Sequence, residues 1–393
     1  MIYLDNAATT KILPRVWNEM QPYYTRYYGN PDSPHEIGRE AREAVELARK
    51  RVADLIGAKS GYVIFTSGGT ESNNMAFEML NEYPIAMNVI TSRTEHKSVL
   101  EPARLSRAIS VKYLKPGRKG YISDDDLNPN EVPAYTLVSL MYLNNETGMI
   151  NGVYGIGKKL KEFRDMDVFF HVDCVQAAGS LDIDVEQMGA DMVSVSSHKL
   201  HGPKGVGCLW VSDRILERID DGHTLRLVSG GGQENGLRAG TLNVPGIVGF
   251  GKAAQIATDV IKEAVDEIAS LFVNELDKYC TQRGITYKIN WLNDDMHCNK
   301  VLSITFPSAD AETVVLMASR NGLCISAGAA CNSESSEPSY VLTNSGIKDD
   351  LARSTVRVSF SNYNSYTDVT QGALILANTV YDVLQLNLTD AVV

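Results

Sequence analysis

The stretch ISAGAACNSESSEPSY, residues 325–340, sets Cys331 among small and polar residues in which nothing reads as a core. A thiolate is a nucleophile, and a segment with few buried contacts would let it move between two places. The alternative is a small buried hydrophobe, and the polar neighbours weigh against it. Cys324 in the apolar GLCIS, and Cys174 and Cys208 in strand-like runs, suit core packing better.

Lys199 closes the alternating run at the start of SVSSHKLHGPKGVG, residues 194–207, ahead of a turn rich in glycine and proline. A lysine at the end of a buried strand is costly unless paired or covalently used. The same desolvation lowers its pKa and makes it a better Schiff-base nucleophile. Lys204, in the turn itself, fits an ordinary surface role. In VFFHVDCVQAAG the carboxylate Asp173 ends an apolar strand, where open α/β sheets place ligands. It could hold the ring nitrogen of a pyridoxal cofactor, or cap a helix beginning at Gln176. FTSGGTESNNMAF joins a strand, paired glycines and a helix starting near Thr70, a cradle suited to a phosphate. It is not a GxGxxG pattern, which disfavours a dinucleotide. His96, in TEHKSV after a strand-like run, could lie flat on an aromatic ring or be a satisfied structural histidine. A lysine, an aspartate, a histidine and a phosphate loop at strand ends of one sheet form a set that chance seldom assembles.

The elements that would position this set alternate between strand and helix. GREAREAVELARKRVADLI, TESNNMAFEML and YGIGKKLKEFRD carry helical spacing; GYVIFT, YTLVSLMYL, DVFFHVDCV, ADMVSVSS and GCLWVS read as strands. That alternation predicts a largely parallel sheet covered on both faces. A long helical pattern over about 252–280 could link two units, and KVLSITFP, RSTVRVSFS and TDVTQGALILANTVYDVLQ form a smaller α+β unit after it. The final LTDAVV reads as a frayed end.

The 393 residues, 44% hydrophobic and 22% charged, suit a globular chain of two or three domains. A net charge of −11 and a pI near 5.2 disfavour direct nucleic-acid binding and favour a basic protein partner. No apolar run is long enough to cross a bilayer, and MIYLDNAATT lacks the pattern of a signal peptide. A cytoplasmic location is expected. The six cysteines show no CxxC pair and no zinc spacing, so free thiols and no metal site are expected.

Taken together, LDNAATT, YGNPDSPH, TSGGTESNN, TEHKSV, NNETG, HVDCVQAAG, SSHKLHGPKGVG, GGGQENGLRAGTLN and SAGAACNSESSEPSYVL resemble the pyridoxal-phosphate-dependent cysteine desulfurases of the iron–sulfur assembly type, in the class V aminotransferase family. The resemblance runs from residue 3 to about 362. It implies the fold type I of PLP-dependent transferases: an α/β large domain with a mostly parallel seven-stranded sheet, and a smaller α+β C-terminal domain. The expected boundaries are 1–15 for an N-terminal segment associated with the small domain, 16–255 for the large domain, and 256–393 for the small domain. The last would carry a cysteine loop at about 325–337.

Residue by residue, the resemblance makes Lys199 the Schiff-base lysine and Asp173 the partner of the pyridinium nitrogen. His96 would stack on the ring and Gln176 would bond its phenolic oxygen. Gly69, Thr70, Ser196 and His198 would hold the phosphate, with Thr241 reaching the phosphate of a neighbouring subunit in a homodimer. Asn145 and Arg357 would bind the carboxylate of L-cysteine, Arg357 by its two-pronged fork, and Ala8 and Asn30 would line the same pocket. Cys331 would form the persulfide, with His96 moving a proton at the substrate thiol and Lys199 one at the α-carbon. The products would be alanine and sulfur bound for an acceptor protein, in iron–sulfur cluster assembly or in thio-modification of tRNA or the DNA backbone. A selenocysteine lyase, or another class V transferase, is the alternative. Four places depart from the family pattern: Ala329 in Gly-Ala-Ala-Cys, Ser197 for a glycine, Ser361 for a glycine, and MINGVYGIG after NNETG, expected to alter a surface near the site.

Overall fold

The computed structural model describes residues 1–82, 85–220, 226–259, 263–328 and 337–390. Cys331 therefore lies outside the described residues. In chain order the strands are β1 (Ile2–Tyr3), β2 (Tyr62–Thr66), β3 (Asn88–Ser92), β4 (Val111–Leu114), β5 (Thr136–Met141) and β6 (Val168–Asp173). They continue with β7 (Met192–Ser196), β8 (Gly207–Val211), β9 (Lys288–Ile289), β10 (Val301–Thr305), β11 (Leu323–Cys324) and β12 (Thr355–Ser359).

Seven of them form one sheet in the order β2-β8-β7-β6-β5-β3-β4. Every pairing is parallel except those made by β8, which runs against both its neighbours. The mostly parallel sheet read from the sequence is thus present. The strands β5 to β8 are buried throughout and mostly apolar on both faces, and the buried His171 is satisfied by Ser139 and Ser194 on the neighbouring strands. Alternation sends Val138, Phe170 and Val172 to one core, beneath the helices Glu36–Leu55 and Val244–Asp259. Leu137 and Phe169 go to the other, beneath Gly69–Glu82 and Lys97–Leu105. The register sets Met141 opposite Asp173 and Asp173 opposite Ser194, which brings the carboxyl ends of three neighbouring strands to one edge.

A third core lies around the antiparallel sheet β12-β10-β9 and the parallel pair β1-β11. Ile2 and Leu4 pack there with Phe272, Leu302, Val356 and Leu376, although they open the chain. The pattern read as one helix over about 252–280 is described as two, Val244–Asp259 and Glu263–Arg283. The C-terminal helix, Tyr366–Asp390, is longer than expected and takes in Leu388–Asp390 of the segment read as frayed. Among the described residues, no helix is long and apolar enough to cross a membrane.

A buried ion pair fastens the turn Gln233–Gly236 to this frame. Arg49 donates from Nη1 and Nη2 to Glu234 at 2.8 and 3.0 Å, and Glu234 also accepts from the backbone N–H of Phe65. The Glu234 side chain is 1% exposed. Removing one member of such a pair leaves an uncompensated buried charge, costing about 3–5 kcal/mol. Arg49→Met should therefore lower the unfolding free energy by about that amount in urea titrations; a loss under about 1 kcal/mol would show the pair to be dispensable.

Candidate active site

Asp173 ends β6 at 5% exposure. Its Oδ1 accepts from the Val175 N–H at 2.9 Å, and its Oδ2 from Asn73 Nδ2 at 2.8 Å. The capping alternative is not met: residues 175–180 make turns and no helix begins at Gln176. Two donors offset the cost of burying this carboxylate. Asn73 lies one turn into the helix Gly69–Glu82, and its Nδ2 also donates to Ser98 Oγ at 2.8 Å. Ser98 in turn meets His96 Nδ1 twice, through its backbone N–H at 3.1 Å and its Oγ at 2.7 Å. A backbone N–H can only donate, so Nδ1 is an acceptor and the proton of the neutral ring sits on Nε2. Burial lowers the His96 pKa, partly opposed by Asp173, which favours that neutral ring. Beneath the pair, burial pushes the Glu95 carboxyl well above the usual carboxylate range, although Oε2 accepts from the Met141 N–H.

Lys199 follows β7 in the short turn Ser197–Lys199. Its Nζ donates to the carbonyls of Ala7 at 2.5 Å and Ala8 at 2.9 Å. Gln176 Nε2 donates to the same Ala7 carbonyl at 2.9 Å. His198 Nδ1 meets Thr9 Oγ1, and burial lowers the His198 pKa to about 4. Gly69 and Thr70 open their helix next to Ser196. A Cβ on Gly69 would come within 2.7 Å of Val175 Cγ2, so only glycine leaves this cradle room. Gly207 is constrained in the same way, since its Cβ would meet Gly68 Cα at 2.7 Å.

Arg357 lies within β12 at 3% exposure. Nη2 donates to Asp5 Oδ1 at 2.8 Å and Nη1 to the Asn145 carbonyl at 2.9 Å. Its buried Nε has no partner among the described residues. The fork expected to grip a carboxylate is thus partly committed to the protein, and Nε is the donor in want of an acceptor.

A cavity of about 250 Å³ joins these groups. Ala8, Gly69, Thr70, His96, Asn145, Asp173, Gln176, Ser196, His198, Lys199 and Arg357 line it, drawn from both ends of the chain. Asn30 does not line it: the residue is exposed, and its Oδ1 accepts from the Asp32 N–H. Thr241 is also exposed and away from the cavity of this chain. Asn73, Ser98 and Asp5 were missed in the sequence; each sits inside a quoted segment, but only contacts reveal its role. Ala329 lies outside the described residues, and the other divergent residues are not superficial. Ser361 Oγ bonds His201 Nε2 at 2.7 Å, and Ser197 is fully buried. The stretch after NNETG corrects the surface expectation, since Asn151 is 3% exposed and props the Met141 carbonyl and the Ile122 N–H.

The lining fits an anionic aromatic cofactor. It offers a helix N-terminus with a glycine cradle, a hydrogen-bonded carboxylate and an amine, and Gln176 Oε1 is buried without a partner among the described residues. Cys324, expected in a core, is half-buried, whereas Cys174 and Cys208 are fully buried. Lys204 is exposed.

The family profile described as aminotransferase class-V matches residues 2–371. Cysteine desulfurase IscS of Dictyoglomus turgidum is 37% identical over 376 residues, covering 94% of this chain and 91% of its own. A solved structure described as a NifS-like protein superposes with a TM-score of 0.84 at 32% identity, covering 98% of this chain and 99% of that one. Another, SspA in complex with cysteine, gives 0.76 at 33% identity and covers 93% and 100%.

Asn73→Ala removes one of the two donors to Asp173 and frees Ser98. Hydrogen bonds to charged groups contribute about 1.5–3 kcal/mol. The variant should hold added pyridoxal phosphate at least about tenfold more weakly in a fluorescence titration. Unchanged affinity would show that Asn73 does not support the site.

Proposed function

The chain belongs to the class-V aminotransferase family and, within it, to the cysteine desulfurases, and from that premise we propose that it binds pyridoxal 5′-phosphate in this cavity and moves the sulfur of L-cysteine onto Cys331. The family is PLP-dependent. When bound, the cofactor supplies an electron sink for a carbanion at the substrate's α-carbon. Asp173, held by Asn73 and Val175, would keep a pyridine nitrogen protonated. Lys199 would anchor the cofactor and then carry a proton at the α-carbon. Gly69, Thr70, Ser196 and His198 would hold the phosphate, and the free Oε1 of Gln176 marks where a polar ring substituent would go.

Arg357 and Asn145 would orient the substrate carboxylate, with Nε as the open donor. His96 is placed to shuttle a proton at the substrate thiol through Nε2. In the sulfur step the Cys331 thiolate forms an S–S bond to the substrate sulfur as the C–S bond breaks. The C–S bonding pair stays with the carbon skeleton, whose β-carbon takes up a proton so that it leaves as alanine, and no outside oxidant is needed. The reading extends to a homodimer with Thr241 reaching the partner's phosphate, to a protein acceptor for the persulfide, and to a cytoplasmic location.

The observation that carries this reading is the convergence of Lys199, Asp173, His96 and Arg357 on one cavity. Lys199→Ala should abolish the visible absorbance of the protein reconstituted with pyridoxal phosphate. Cys331→Ala should still show a spectral change with L-cysteine yet carry no persulfide by mass spectrometry. A normal visible band in the first variant, or full sulfur transfer by the second, would overturn the assignment.

A further inference from the structure

Glu146 follows Asn145, whose carbonyl Arg357 holds. Its carboxylate is almost wholly buried, at 2% exposure, and does not line the cofactor cavity. Oε2 accepts from Ser339 Oγ at 2.5 Å, and Ser339 also caps the helix Tyr340–Asn344 through the Leu342 N–H. On the other side lies Gly328: a Cβ there would come within 3.2 Å of the same Oε2 and 3.7 Å of Ser339 Cβ. The chain thus leaves at 328 and returns at 339 beside a single carboxylate oxygen. Two residues before Gly328, Ser326 exchanges backbone hydrogen bonds with Arg357 itself.

A buried carboxylate is costly unless its surroundings repay it. Here burial raises the Glu146 pKa, while the Ser339 hydroxyl and the charges of Arg357 and Lys97 pull the other way. A core needing only to fill space would be served by an apolar residue. A carboxylate at this place can do what an apolar residue cannot: fix a hydroxyl at one flank by a charge-assisted bond while attached by one peptide unit to the Arg357 contact.

We propose that Glu146 is a positioning residue for sulfur transfer, tying the substrate-carboxylate site at Arg357 and Asn145 to the two flanks, Gly328 and Ser339, of the segment that carries Cys331. The inference rests on the function proposed above and adds to it the residue that couples substrate seating to thiol delivery. Glu146 touches no reacting atom; it acts through Ser339 and Asn145.

The test uses the full-length holoenzyme with L-cysteine and two readouts: the cofactor's spectral change for substrate binding, and persulfide on Cys331 with released alanine for transfer. Glu146→Ala should bind cysteine with half-saturation within about twofold of wild type while its transfer rate falls at least about tenfold. Glu146→Gln, which can still accept from Ser339, should recover most of that rate. Ser339→Ala should slow transfer as Glu146→Ala does, and the double variant should lose little more. Wild-type transfer by Glu146→Ala, a parallel loss of binding and transfer, or no recovery in Glu146→Gln would each overturn the inference alone. A wild-type enzyme that binds cysteine yet puts no sulfur on Cys331 would overturn the functional reading and this inference with it.

Discussion

A carboxylate kept at the buried end of a parallel strand is the constraint around which the site is arranged. Asp173 can stay there because β6 delivers it to an edge where two N–H donors wait, one from its own following turn and one from Asn73. Those donors do more than hold charge. Asn73 spends its second amide hydrogen on Ser98, and Ser98 fixes the acceptor nitrogen of His96. One amide therefore links the acid to Ser98, whose backbone N–H sets the tautomer of the histidine. A neutral His96 and a hydrogen-bonded Asp173 are what ring stacking and ring-nitrogen protonation require of them.

The first ten residues are the second element of the design. Ile2 and Leu4 are rooted in the core of the C-terminal sheet, while the carbonyls of Ala7 and Ala8 receive Lys199 and Gln176 from the large sheet. Asp5, between them, pairs with Arg357. A short segment thus sets the lysine and the arginine relative to one another, although they come from different sheets. Further hydrogen bonds hold the segment in place: Asn6 also donates to the Ser359 carbonyl, and the Ala7 N–H to Ser359 Oγ.

Much of this was legible in the sequence because periodicity and strand-end chemistry are local signals. The run VFFHVD announces a doubly buried strand, and Asp173 at its end could be found by asking where an apolar strand first tolerates a charge. The cradle at Gly69 and Thr70 was readable for the same reason. Asn73 and Asp5 were not, because an amide in a helix and an acid in a loop have no distinguishing pattern until a partner distant in sequence is brought to them. Asn30, carried over from a segment match, does not line the cavity of the single chain and is engaged with its own turn. Thr241 faces outward in the single chain, so its expected role belongs to an assembly. Helix limits failed where sequence gives no stop signal, as at Asp390.

The central claim is that Asp173 exists to keep a pyridine nitrogen protonated, and nitrogen-15 NMR of the enzyme loaded with ring-labelled pyridoxal phosphate reads that proton directly. The account predicts a pyridinium shift across neutral pH in the wild-type protein and an upfield-to-downfield change to neutral pyridine in Asp173→Asn. A neutral pyridine nitrogen in the wild-type enzyme would contradict it.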